Sequence, residues 1–175
     1  MRPRLQAWLQ SGWISHLLFY GSIATALLLD QLTKAWVVAH LPKYQPVNVV
    51  EWLAPILSFT FVQNTGVAFG LFPGLGELFL LLSIIVVLSI VVFRRSLSAT
   101  DTLVHAALGL VTGGALGNVV DRVARGYVVD FLDVNFWPLQ TWPVFNLADS
   151  AIVVGVIVLF IDSLIVERNL AVADA

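Results

Sequence analysis

The chain has 175 residues, 59% of them hydrophobic and only 11% charged, with a formal net charge of −2. Soluble domains carry about 25% charged residues because a surface facing water must be polar; this chain, with a mean hydropathy of +0.91, must turn its surface to lipid instead. The small net charge implies no nucleic-acid partner, and the lack of cysteine excludes disulfides, cysteine nucleophiles and thiolate metal sites.

A spanning helix needs about 20 largely apolar residues to cross about 30 Å of hydrocarbon. Four segments qualify, at approximately 17–40, 75–93, 102–121 and 144–166. The sequence therefore predicts one integral membrane domain over 1–175, an all-α membrane protein of four transmembrane helices with a small extracytoplasmic β-sheet on the membrane surface. In the first segment, Arg2 and Arg4 precede an apolar stretch as in a secretory signal. However, Asp30-Gln31-Leu32-Thr33-Lys34 interrupts it without a small-x-small cleavage pattern, and apolar residues resume at Ala35, so it reads as a retained helix with a polar end.

The connection from Leu41 to Gly74 carries the sheet. Leu57-Ser58-Phe59-Thr60-Phe61-Val62-Gln63 partly alternates apolar with polar and is bounded by Pro55 and Asn64-Thr65-Gly66, the pattern of a strand ending in a turn. The second span is a nearly pure Leu/Ile/Val run from Leu78 to Phe93. The third carries Gly109, Gly113 and Gly117 down one face, which admits a neighbouring backbone and predicts that this helix is central. Arg2, Arg4, Arg94, Arg95 and Arg168 fall on one side of the spans, against Lys43, Arg122 and Arg125 on the other. The positive-inside rule then puts both termini and the 94–101 turn in the cytoplasm, with Trp36, Tyr44, Trp52, Trp137 and Trp142 at the outer interface and Trp8 and Trp13 at the inner one.

Polar groups at bilayer level gather near the outer face: Asp30 and Lys34 in span one, Asn118, Asp121 and Arg122 ending span three, and Asn146 and Asp149 beginning span four. Asn64, Asp130 and Asp133 lie in the outer connections. Ionisable groups within a span cost about 2.5–3.5 kcal/mol each on insertion scales, so they usually face the bundle interior and mark function. Asp30 and Lys34 are spaced as an i,i+4 ion pair. Asn118, Asp121 and Arg122 share a helix face, with Asp121 and Arg122 expected to form a charge network. Both sets could also be plain structural ties between helices. Asp130 and Asp133 are expected together on a turn, and Asp149 has Asn146 one helical turn before it as a hydrogen-bond partner.

His16, His40 and His105 are too scattered for a ligand set, and neither a zinc-binding HExxH nor a GxSxG elbow occurs. Several carboxylates remain without metal ligands or a good nucleophile, which suits aspartic proteolysis, where two carboxyls share one proton. These residues alone leave open which two aspartates act, and they suit a proton-coupled transporter equally well, although no internal repeat of the kind common in transporters is visible. A small non-catalytic assembly factor is a third reading.

Five motifs in order resolve the choice by resemblance. They are Asp30-Gln31-Leu32-Thr33-Lys34, Asn64-Thr65-Gly66-Val67-Ala68-Phe69, Gly117-Asn118-Val119-Val120-Asp121-Arg122, Val129-Asp130-Phe131-Leu132-Asp133 and Phe145-Asn146-Leu147-Ala148-Asp149. Together with length and span count, they resemble the lipoprotein signal peptidase (type II signal peptidase) family over essentially the whole chain. One departure is Val67-Ala68, where the family usually has two alanines; the extra methyls would alter pocket shape without removing chemistry. The resemblance implies a catalytic pair at Asp130 and Asp149, with Asn64, Gly66, Asn118, Asp121, Arg122 and Asn146 lining or supporting the site and Asp30 and Lys34 as polar supports. It implies an inner-membrane aspartic peptidase acting near the outer face; the residues themselves call for no cofactor or metal, and a monomer is the expectation. Its substrates would be prolipoproteins bearing diacylglycerol on a cysteine, cut just before that residue among the membrane lipids.

Overall fold

The computed structural model describes residues 12–66 and 75–173, with side chains to residue 167. Arg2, Arg4, Trp8, Val67, Ala68 and Phe69 lie outside the described residues, as does the side chain of Arg168. Among the described residues there are four long helices: α1 (Trp13–His40), α2 (Gly76–Phe93), α3 (Thr102–Arg125) and α4 (Leu147–Ala173). Each contains a stretch long and apolar enough to cross a membrane. Strands β1 (Pro46–Val47), β2 (Leu57–Asn64) and β3 (Val128–Val134) form an antiparallel sheet in that order.

α3 is the centre of the bundle, packed against α1, α2 and α4. Its glycines make this possible. A Cβ on Gly113 would stand 2.8 Å from the Ile23 carbonyl oxygen and 2.9 Å from Ala26 Cβ on α1, and one on Gly109 would reach 2.8 Å from Ser22 Cβ. A Cβ on Gly114 would collide with the Ala148 carbonyl of α4. Both neighbours therefore approach α3 at backbone distance, as small residues permit in membrane bundles. α2 stands at the rim with no buried residue. An all-round apolar helix of this kind is stable because its surroundings are lipid.

The helix bounds differ from expectation at their polar ends. α3 runs four residues past 121 and stops where Gly126 adopts φ 78°, a left-handed C-cap that suits glycine. α4 begins at Leu147 rather than 144, because Phe145 is used otherwise. Its N–H donates to the Leu132 carbonyl (3.1 Å), and its carbonyl accepts from the Leu132 N–H (2.8 Å). The chain after β3 thus doubles back and lays Phe145 alongside that strand.

The sheet seats on the end of α1, where Val37, Phe61, Val129 and Phe131 form a buried cluster flanked by Leu41, Phe59 and Leu147. Its register contains one irregularity that matters. Phe59 opposes Leu132, but Val62 opposes Asp130, so β2 carries one extra residue between them. A one-residue shift exchanges the faces of a strand. The bulge puts Asn64, opposite Val128, on the same face as Asp130 two residues on; without it the two side chains would point to opposite faces.

Candidate active site

Asp130 is 2% exposed, on the inner part of β3. Asn64 Nδ2 donates to its Oδ2 (2.9 Å) and Asn146 Nδ2 to its Oδ1 (2.6 Å). Asp149, half-buried, sits in the first turn of α4. Its Oδ1 accepts from Asn118 Nδ2 (2.8 Å) and its Oδ2 from the Asn146 N–H (3.3 Å). In return the Asp149 N–H donates to Asn146 Oδ1 (2.9 Å). This reciprocal pair is a capping box in which Asn146 is the N-cap and Asp149 the acidic third residue. It fixes Asp149 where the helix dipole favours negative charge.

The orientation of each carboxamide follows from a partner that can only donate. Asn118 Oδ1 accepts from the ammonium of Lys34 (3.0 Å), Asn146 Oδ1 from a backbone N–H, and Asn64 Oδ1 from the Gly66 N–H (3.0 Å). Ammonium and peptide N–H groups have no acceptor capacity, so all three amide NH2 groups must face the carboxylates. Three fixed donors thus converge on Asp130 and Asp149.

Burial pushes Asp130 up from the usual 3.8 to about 7, and the neighbouring charge of Asp149 adds to this; the Asn64 and Asn146 hydrogen bonds and the Lys34 charge oppose it. The two carboxyls are therefore close enough for the charge of one to disfavour ionisation of the other. A cavity of about 660 Å³ opens against both, otherwise walled by Val134, Leu139, Trp142, Val144, Phe145, Ile152 and Val153 among others. Among the described residues, no three His, Asp or Glu side chains gather to hold a metal. What the arrangement can do is acid–base chemistry on a molecule that is largely apolar.

Behind the carboxylates lies a second, wholly buried layer. Lys34 Nζ stands 2.9 Å from both Asp30 Oδ2 and Asp121 Oδ2, and all three side chains are fully excluded from solvent. Asp30 Oδ1 accepts the Ala148 N–H (2.9 Å), securing the start of α4. Asp121 Oδ2 accepts the Val129 N–H (3.0 Å), securing the start of β3. The expected Asp30–Lys34 pair is present, whereas the expected Asp121–Arg122 network is not. Adjacent helix residues do not face each other: Asp121 pairs with Lys34 and Arg125, while Arg122 donates to the carbonyls of Asn118 (3.4 Å) and Gly66 (3.3 Å).

Asp133 also departs from expectation. It lies on β3 rather than on a turn, three residues from Asp130 and so on the opposite face. There it accepts from Thr60 Oγ1 (2.6 Å). Two contributors were given no role in the site by the sequence reading. Gln31 Nε2 donates to Asp30 (3.0 Å), the Gly117 carbonyl (3.1 Å) and Asp121 (3.3 Å), and Arg125 closes on Asp121. The Asp121-to-Arg125 spacing of four, acid first, was the available signal for the second.

A carboxyl pair held by amide donors beside an apolar cavity, in a bundle of four membrane-length helices, defines a multi-pass membrane protein equipped for acid–base hydrolysis. The family model described as signal peptidase (SPase) II matches residues 22–165. A lipoprotein signal peptidase from Syntrophomonas wolfei is 42% identical over 143 residues, covering 82% of this chain and 90% of the relative. One from Geobacter sulfurreducens is 40% identical over 157 residues, covering 88% and 96%. A bacterial membrane enzyme solved by the in meso method superposes with a TM-score of 0.78 at 31% identity, covering 89% of this chain and 90% of that one. The chain belongs to the signal peptidase II family, and with it to the aspartic-type membrane peptidases of bacteria.

Proposed function

We propose that this peptidase removes the signal peptide from diacylglyceryl-modified prolipoproteins, cutting just before the lipidated cysteine, with Asp130 and Asp149 as its water-activating pair. The observation that carries the reading is the convergence of Asn64, Asn118 and Asn146 on those two carboxylates beside an apolar cavity. Asp149, at a helix N-terminus, acts as the carboxylate and takes a proton from water as the oxygen attacks the scissile carbonyl. Asp130 acts as the acid and gives its proton to the carbonyl oxygen. Collapse of the resulting diol returns that proton to Asp130, and Asp149 passes the water's proton to the departing amine. The cavity wall receives the apolar part of the substrate, so the lipid need not enter water. Asn64, Gly66, Asn118, Asp121, Arg122, Asn146, Asp30 and Lys34 position or support this pair, and the whole chain works as one membrane domain.

The test is cleavage of a diacylglyceryl-bearing precursor peptide by purified protein in detergent, against the same peptide without lipid. Cleavage of the lipidated peptide only is expected, and indifference to the lipid would refute the substrate assignment. The pH profile checks the proton. Asp130 must be protonated to donate, so kcat/KM should fall as pH rises through about 7, and a flat alkaline limb would contradict its role. The sign for stability runs the same way. A carboxyl raised in the folded state contributes stability that is full below about 3.8 and lost as pH climbs through about 7.

The same reading places the site toward the outer face of the inner membrane and both termini in the cytoplasm. It rests on Arg94 and Arg95 at the opposite end of the helices from the carboxylates. Reporters inserted within 96–100 should register cytoplasm and those near Pro46 or Gln140 the outer side; the reverse pattern would invert the enzyme.

A further inference from the structure

A second polar cleft, of about 360 Å³, lies at the other end of the bundle, lined by Ser15, His16, Tyr20, Arg94, Arg95 and His105 among others. His16 precedes Asp30 by fourteen residues of α1, about 21 Å at about 1.5 Å per residue, so the cleft is remote from the carboxylates. Among the described residues, no acidic side chain lines it. Arg94 is 7% exposed. Its guanidinium lies 4.1 Å from the Phe19 ring centre and 5.0 Å from that of Tyr20, and it donates to His16 Nδ1 at 2.5 Å. Because an arginine can only donate, His16 must accept there and carry its proton on Nε2. Among the described residues the salt bridges all belong to Lys34 and Arg125, and neither Arg94 nor Arg95 has a carboxylate partner. His105 is 4% exposed, donates through Nε2 to the Ser98 carbonyl (3.2 Å) and leaves Nδ1 buried without a partner.

A buried arginine beside an exposed one, with no carboxylate partner among the described residues, is costly unless an anion completes the site. We propose that this cleft binds the phosphate of an anionic phospholipid headgroup. The ligand is an anion because the lining offers Arg94, Arg95 and the ring N–H of His16 as donors, and the arginine fork matches phosphate oxygens. It is a lipid because of depth and surroundings. Arg94 and Arg95 immediately follow the last turn of α2, which is headgroup level for a spanning helix. Tyr20 and Val91, which also line the cleft, are exposed on the lipid-facing side, where acyl chains would lie.

The experiment uses the full chain in a neutral detergent, titrated with phosphatidylglycerol, phosphatidylcholine or inorganic phosphate, and followed by native mass spectrometry and thermal stability. Wild type should bind one phosphatidylglycerol about tenfold more tightly than phosphatidylcholine, with no comparable effect of inorganic phosphate. Arg95 is exposed, so Arg95→Gln should fold and cleave precursor normally while losing about fivefold of that preference, and Arg95→Glu should abolish it. Equal binding of the two lipids to wild type would overturn the proposal. So would stabilisation by inorganic phosphate matching that by lipid, or selectivity unchanged in both Arg95 variants.

Discussion

Asp130→Asn and Asp149→Asn are each expected to fold, to bind lipidated precursor and to lose cleavage by at least about 10²–10⁴-fold, the range for removing one positioned acid or base. The substitution keeps side-chain shape, and the surroundings tolerate it unequally. At position 130 the incoming amide meets two donors, Asn64 Nδ2 and Asn146 Nδ2, so its NH2 must oppose one of them. Against that stands the removal of a buried, partly charged carboxyl beside Asp149. Asp130→Asn should therefore melt above wild type at pH values over about 7, where the wild-type carboxyl is ionised, and below it in acid. Asp149→Asn relieves the same repulsion but surrenders the favourable charge at the N-terminus of α4. Because the two carboxyls act on one water, their losses are not additive, and the double variant should be no slower than the worse single one. Rates that fell multiplicatively would mean that the two groups act independently, and cleavage near wild type in either single variant would remove it from the pair. Asp133→Asn, facing Thr60 on the other side of the strand, should leave the rate close to wild type.

How much of this was legible in the sequence depends on the range of the forces involved. The four spans were, because lipid imposes length and apolarity on each helix separately, and the central place of α3 followed from glycines at every fourth position. The Asp30–Lys34 pair was legible because it lies within one helix turn. What failed was the assignment of partners across elements. Sequence spacing offered Arg122 to Asp121, yet the side chain chosen was Lys34 of α1, brought to 2.9 Å by the close approach that Gly113 and Gly117 permit. The strand bulge that turns Asn64 toward Asp130 leaves no mark in a pattern of alternation, since one extra residue in β2 shows only against its partner strand. The turn expected at Asp130–Asp133 was a strand for the same reason: β3 is paired with β2 and bridged to Phe145, neither of them near in sequence.

The corrected partners change which residue the bundle can least afford to lose. Lys34 is fully buried between Asp30 and Asp121, and Arg125 is the second cation in direct contact with this cluster among the described residues. Two carboxylates and two cations balance; Lys34→Met leaves Asp30 charged, buried and without a counter-ion. Breaking a buried ion pair from one side costs about 3–5 kcal/mol. The same change removes the ammonium donor to Asn118 Oδ1 and leaves only the longer bond from Asn146 Nδ2 (3.3 Å) to orient that carboxamide, so its donation to Asp149 is less firmly held. Lys34→Met should therefore lower both melting temperature and activity by large factors. Adding Asp30→Asn removes the stranded charge while keeping an oxygen for the Ala148 N–H. The pair Lys34→Met with Asp30→Asn should recover part of the lost stability but little of the activity, because Asn118 still lacks its ammonium donor. Arg122→Ala gives the contrast. It gives up two long bonds to carbonyls and a charge attraction to Asp149 and Asp130, but it is in direct ion-pair contact with neither, so its melting temperature should fall less than that of Lys34→Met. Thermal melts of the three variants decide the matter: a large loss in Arg122→Ala beside a small one in Lys34→Met would return the structural charge network to Arg122.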